Sequence, residues 1–320
     1  MDVKGVACDS QWLPNPKQGS AMPEIVVSAR TALRADEEAR AAADLIAYGS
    51  IEMSAHRPQD AREIAAQLPV GTRVYVNHLP RHTLADSLAA LKAVRDVGLE
   101  PVPHMAVRRI TSHAEATSFV TRAVDEAGVR EVLLIGGDEP QPLGPYADSG
   151  SMLRDGLLSQ CGVQEIGIAG YPEGHPHISQ AALAAAMREK LNIAAEQGLG
   201  AYVLTQFSFA PGRIVEYCAE IARGFPGVSI YIGLAGPTDP LALLRYAQRC
   251  GVSASLRALR DQGFGAVKLV MHTDPREQLA AFAHYCLGQA PCNVAGVHVF
   301  SFGGVAATVA WMNSLIAAQR

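Results

Sequence analysis

Eight short apolar runs, separated by stretches with helical patterning, constrain this 320-residue chain more than any other feature. They occupy residues 50–54, 73–79, 100–107, 131–135, 166–172, 201–207, 229–236 and 296–302. Between them, residues 57–68, 83–97, 112–127, 150–161, 179–197 and 213–223 carry strong helix formers with apolar positions three and four apart. Residues 30–48 predict a helix before the first run, 240–287 two or three helices, and 305–319 the last. Thr111 or Ser112 is placed to cap the helix that follows it. Strands and helices in strict alternation need both faces of a parallel sheet covered. The expectation is an α/β protein, a single (β/α)8 TIM barrel. The open, doubly wound sheet is the alternative. It lacks support, because no GxGxxG follows the first run and no GxxxxGK[ST] occurs.

Composition narrows the class of function. With 49% hydrophobic and 18% charged residues and a mean hydropathy of +0.10, the chain reads as globular with a large core. A formal charge of −4 supplies no electrostatic footprint for nucleic acid or an anionic membrane. The six cysteines are scattered without a CxxC pair, which argues against structural zinc and against a disulfide framework. No run approaches the ~20 apolar residues of a membrane span. Residues 1–23, which carry Gly, Pro, Ser and Asn with no periodicity, are expected to form a flexible extension, with 24–320 the barrel domain. A cytoplasmic enzyme acting on a small molecule, as a monomer or small homo-oligomer, fits these features.

In such a barrel the C-terminal ends of the strands face one site. Read off in order, they offer Glu52, Asn77-His78, His104, Gly136-Gly137-Asp138, Tyr171-Glu173-His175, Gln206, Gly236 and Ser301-Phe302. The glycines suit close approach of a flat ligand to backbone, and Asp138 with Gln206 suits paired hydrogen bonds to a heterocycle. Glu52 sits inside an apolar run, where burial that raised its pKa would make it a general acid. A zinc or iron site from His78, His104, His175 and Asp138 is a competing reading, but none of these has ligand-like local spacing. Each histidine is also satisfied by a plain structural hydrogen bond. GxSxG is absent.

Three stretches, in this order, resemble the methylenetetrahydrofolate reductase family: Gly137-Asp138 after an apolar strand, AGYPEGHP at 169–176, and Thr205-Gln206-Phe207. The resemblance spans about residues 50–303. It implies a (β/α)8 catalytic barrel that interconverts 5,10-methylene- and 5-methyl-tetrahydrofolate with NAD(P)H. It also implies Glu52 as general acid, Asp138 as the group acting on the pterin, and Gln206 with Phe207 as folate contacts. His104, Gly137, Tyr146, Tyr171 and His175 take the positions that contact FAD in members that hold it. The chain departs from the family where Gly136 stands in place of an arginine, and where IEMSAHRP replaces an aromatic–Glu–aromatic run. These departures resemble the divergent branch that works without bound flavin, so direct hydride transfer from NAD(P)H to the folate is expected. A folate- or corrinoid-linked methyltransferase on the same barrel is the alternative, and a non-catalytic folate- or flavin-binding protein is a third reading.

Overall fold

The computed structural model describes residues 24–249, 252, 275–288, 291–302 and 304–318; the expected extension at 1–23 lies outside them. Glu38–Arg320 forms one compact unit, and the residues before Glu38 fall outside it. Within the unit eight parallel strands close into a barrel in sequence order. They are β1 (Ser50–Ser54), β2 (Arg73–Asn77), β3 (Glu100–Ala106), β4 (Glu131–Ile135), β5 (Glu165–Gly170), β6 (Gly200–Thr205), β7 (Ser229–Ala235) and β8 (Val294–Phe300). Closure is direct: Ser50 pairs with His298 and Ile51 with Val299. The expected (β/α)8 barrel is the fold.

Helices run between the strands and after the last, with a first one that begins before the compact unit. They are α1 (Glu24–Ala47), α2 (Asp60–Ala65), α3 (Leu84–Asp96), α4 (His113–Ala127), α5 (Ser149–Asp155), α6 (Leu157–Gln160) and α7 (Gln180–Glu196). Next come α8 (Pro211–Gly224), α9 (Pro240–Arg249), α10 (Arg276–Cys286) and α11 (Val305–Ala317). Their starts follow local chemistry. Thr83 and Asp86 form a reciprocal capping box on α3, Ser112 and Ser179 cap α4 and α7, and Pro211 opens α8 where its missing N–H has no helical partner. Of the stretch expected to hold two or three helices, α9 and α10 are seen, and the segment between them lies outside the described residues apart from Val252 and Pro275.

Alternation along each strand separates two cores. Ile51, Met53, Val74, Val76, Met105, Val132, Leu134, Ile166 and Ile168 face the helices in one continuous buried cluster. The opposite set fills the barrel: Tyr75, Val102, Leu133, Tyr202 and Leu204, with Ile135, Tyr231 and Phe300 against them. Gly167 makes room here, since a Cβ on it would lie 2.7 Å from the Tyr202 hydroxyl. Six strands stop short of the expected ends, β3 and β7 by one residue and β8, at Phe300, by two. β2 ends at Asn77, not residue 79, and β5 ends at Gly170, because Pro172 has no N–H for the ladder. β6 ends at Thr205, and the Gln206 N–H closes the ladder on the Gly170 carbonyl at 2.9 Å.

Candidate active site

The site begins with the inward side of β1. Because Ile51 and Met53 turn to the helices, Glu52 is carried into the barrel near its C-terminal mouth, at 15% side-chain exposure. Side chains from three other strands meet it there. From β2, the Asn77 amide donates its Nδ2 hydrogen to Glu52 Oε1 at 2.9 Å. From β3 and β8, His104 Nε2 and His298 Nε2 stand 3.9 and 3.8 Å from the other oxygen, Oε2. Behind the ring, His298 Nδ1 is 2.9 Å from Ser50 Oγ. The tautomer in which Ser50 donates to Nδ1 directs the Nε2 proton toward Oε2. The Ser301 hydroxyl donates to the Glu52 carbonyl and ties β8 back to β1.

Electrostatics define the resting state. Burial pushes the Glu52 carboxyl up, but the His298 contact, the His104 and His298 charges and the Asn77 hydrogen bond outweigh it, and the net direction is down. Burial lowers His104 to about 4, with Glu52 pulling it up and His298 down, and burial lowers His298 as well. Both imidazoles are therefore neutral near pH 7, and there the ionised carboxylate is hydrogen-bonded by the Asn77 amide and faces two neutral rings. Burial alone does not set the carboxyl's state: unliganded, it rests as a base and must gain a proton before it acts as an acid.

Other strand ends build the rest of the mouth. Gly137 (φ +90°) turns the chain after β4, where a Cβ on it would lie 3.1 Å from the Ala106 Cβ, and Asp138 follows, exposed on the loop. The two arginines after β3 hold the neighbouring loops. Arg108 donates from its backbone N–H to Gly136 and from Nη2 to the Pro140 carbonyl, while Arg109 Nη2 donates to the Pro80 carbonyl. Beside them His78 is buried and lowered to about 4 by burial, with Arg109, His82 and His104 adding to it. Phe207, 2% exposed, meets Phe300 and Phe302 edge-on, and Phe302 stacks on Tyr246 at 4.2 Å. Tyr171 and His175 stand edge to face at 5.3 Å, with burial raising the Tyr171 hydroxyl.

Of the residues expected at the site, Glu52 and His104 come together directly. Asp138, Gly137, Gln206, Phe207, Tyr171 and His175 lie on the loops and strand ends around the same mouth. Tyr146 is placed elsewhere: it is 3% exposed within the helix-side core, and its hydroxyl donates to Asp155 Oδ2 at 2.6 Å. His298 is absent from the strand-end reading, because it lies two residues before the end of β8. The available signal was alternation in VHVF: Val297 and Val299 face the helices, which sends His298 and Phe300 inward. Among the described residues, no group of three or more His, Cys, Asp or Glu is arranged to hold a metal, and no helix is long and apolar enough to cross a membrane.

A sequence model described as methylenetetrahydrofolate reductase matches residues 70–254. Among solved structures, a sialic acid aldolase from Ruminococcus gnavus is 13% identical over 59% of this chain and 62% of its own, with TM-score 0.37. The chain thus spans 62% of the aldolase's length. A dihydropteroate synthase from Thermus thermophilus is 13% identical, covering 84% of this chain and 92% of its own, with TM-score 0.43. A GH53 catalytic domain from Ignisphaera aggregans is 10% identical, covering 86% and 96%, with TM-score 0.47.

Proposed function

Because the chain belongs to the methylenetetrahydrofolate reductase family, we propose that it interconverts 5,10-methylene- and 5-methyl-tetrahydrofolate with NAD(P)H as hydride partner. The observation that carries this reading is the Glu52 carboxyl, buried at the barrel mouth between an amide on one oxygen and two imidazoles on the other. Opening the five-membered ring of the methylene form needs a proton on N10, which leaves an iminium at N5 to accept hydride. A protonated Glu52 supplies that proton, and in the methyl-to-methylene direction the resting carboxylate takes it back. Asp138, on its exposed loop, faces the pterin and stabilises its positive charge, while Gln206 and the Phe207 wall hold the ring system.

The residues fit a flavin poorly. Of the five side chains or backbone positions expected to touch one, Tyr146 has its hydroxyl bonded to Asp155 in the core, and His104 turns toward Glu52. Hydride then passes directly from the nicotinamide to the folate, with no flavin between them. Exposure of the purified protein to FAD, removal of the excess, and a visible spectrum test it together with an NADH oxidation assay. A colourless protein that oxidises NADH with methylene-tetrahydrofolate is expected. Retained flavin bands replace direct transfer by a two-step route, and a colourless protein without turnover in either direction sinks the reductase reading in favour of methyl transfer.

A further inference from the structure

Glu52 has two chemically distinct oxygens. Oε1 accepts a hydrogen bond from Asn77 Nδ2, and Oε2 faces the Nε2 atoms of His104 and His298. The amide is held in place by its backbone: Asn77 ends β2 in register with Ser54, and its carbonyl lies 3.1 Å from His82 Nδ1. Its orientation follows from the carboxylate. Reversal would set Oδ1 against Oε1, two acceptors face to face. With Nδ2 committed, Oδ1 is buried without a hydrogen-bond partner among the described residues, as are both imidazole Nε2 atoms. A proton on Oε1 would point at an N–H donor, whereas one on Oε2 faces imidazole nitrogens that accept it when Nδ1 carries the ring proton, for His298 the tautomer in which Nδ1–H donates to Ser50.

We infer that Asn77 is a positioning residue that confines the exchangeable proton of Glu52 to Oε2, so that this oxygen alone trades a proton with the substrate. The inference deepens the folate reading above and rests on it only for the identity of the proton's recipient. In the reductive direction the O–H bond at Oε2 breaks and the N10–H bond forms, with the electron pair of the O–H bond left on Oε2. The reverse direction returns the proton to the same oxygen. Around Glu52 the groups that bear on its titration are His104 from β3 and His298 from β8. The Tyr75 ring packs on both imidazoles, and Arg73, deeper in the barrel, acts on His298. None of them touches Oε1.

Titration of the Glu52 carboxyl in the full-length, ligand-free protein tests the inference without folate. Infrared spectra of protein carrying 13C-labelled glutamate side chains follow the carboxyl, and Glu52→Gln identifies its band. Asn77→Ala removes a donor that favours the ionised form, so the midpoint is expected to rise by roughly one to two pH units. Asn77→Asp, close to isosteric and useful if the alanine variant does not fold, should raise it further by offering Oε1 a shared proton. The kcat–pH profile should move upward with the midpoint while folate and NADH affinities change by less than about threefold. A midpoint that stays at its wild-type value overturns the inference, as does an unmoved profile. If wild-type protein turns over no folate while the midpoint still shifts in the variants, the folate reading falls and the role of Asn77 stands.

Discussion

The barrel interior holds two polar clusters, one at the floor and one at the mouth. At the floor, Arg73 lies 4.0 Å over the Tyr231 ring and 3.6 Å from Glu131, and the Tyr75 and Tyr202 hydroxyls share a 2.6 Å hydrogen bond. At the mouth, Glu52, Asn77, His104 and His298 leave three buried polar atoms without hydrogen-bond partners among the described residues. The floor leaves one such atom, Glu131 Oε2, but pairs its charge with Arg73 and stacks that cation on an aromatic face. The mouth holds polar groups that nothing in the fold requires. Unpartnered buried donors and acceptors cost stability, and they persist where a ligand or a proton completes them.

Replacement of Glu52 should separate the clusters most sharply. Glu52→Gln keeps the shape and removes the exchangeable proton, so kcat should fall about a thousandfold while folate binding survives. Stability should fall only slightly, because the contacts that outweigh burial favour the ionised carboxylate in the fold and the amide keeps part of them. Stopped-flow turnover beside a denaturant melt measures both, and retained turnover would remove Glu52 from the acid–base role. Arg73→Met should do the opposite. It strands Glu131 beside Glu165, whose charge already pushes Glu131 up together with burial. Breaking such a pair should cost about 3 kcal/mol of stability in urea, with kcat of the folded fraction within about twofold. A large loss of kcat at full stability would mean that the floor serves the chemistry.

Acid should sharpen the contrast through signs. Burial holds His78 and His104 at about 4, below the ordinary histidine value of 6.5. Between those values the unfolded chain binds more protons than the fold, so stability is lost as pH falls through this window, on the order of 2 kcal/mol for each group. The floor carboxyls Glu131 and Glu165 are shifted up by burial, so protonation favours the fold there and offsets part of the loss. Melts from pH 7 to 4 should therefore show a fall that His78→Asn makes shallower. An acid limb unchanged by that substitution would place the loss in other groups.

Much of this was legible in the chain. β1 and β4 occupy the residues expected of them, because an apolar run bounded by turn residues admits few other readings. Glu52 was legible for the same reason, as a carboxylate inside such a run. What Glu52 touches was not, since Asn77, His104 and His298 meet it from strands separated by long intervals of sequence, and only the barrel register aligns them. Its charge state was hidden too: burial was foreseeable, but the opposing contacts that reverse its effect come from other strands. Tyr146 shows the limit of carrying a role over by position. The segment between β4 and α5 places it in the core, and no local pattern announces that.

The smallest expected effect concerns the hydroxyl pair that joins the two clusters. Tyr75 and Tyr202 are fully buried, and each hydroxyl finds the other across the barrel. Tyr202→Phe leaves the Tyr75 hydroxyl without that partner, and stability should fall by about 1 kcal/mol. Replacing both by phenylalanine should cost less than the sum of the two single changes, because the pair leaves together and no donor is stranded. The Tyr75 ring also packs edge-on against His298 at 4.5 Å and His104 at 5.9 Å, so it supports the imidazoles through its face and edge. Removal of the hydroxyls leaves those ring contacts in place, and kcat should stay within about twofold in all three variants. A kcat that falls with the hydroxyls, at constant folate affinity, would make the floor pair part of the proton network and erase the division between the two clusters.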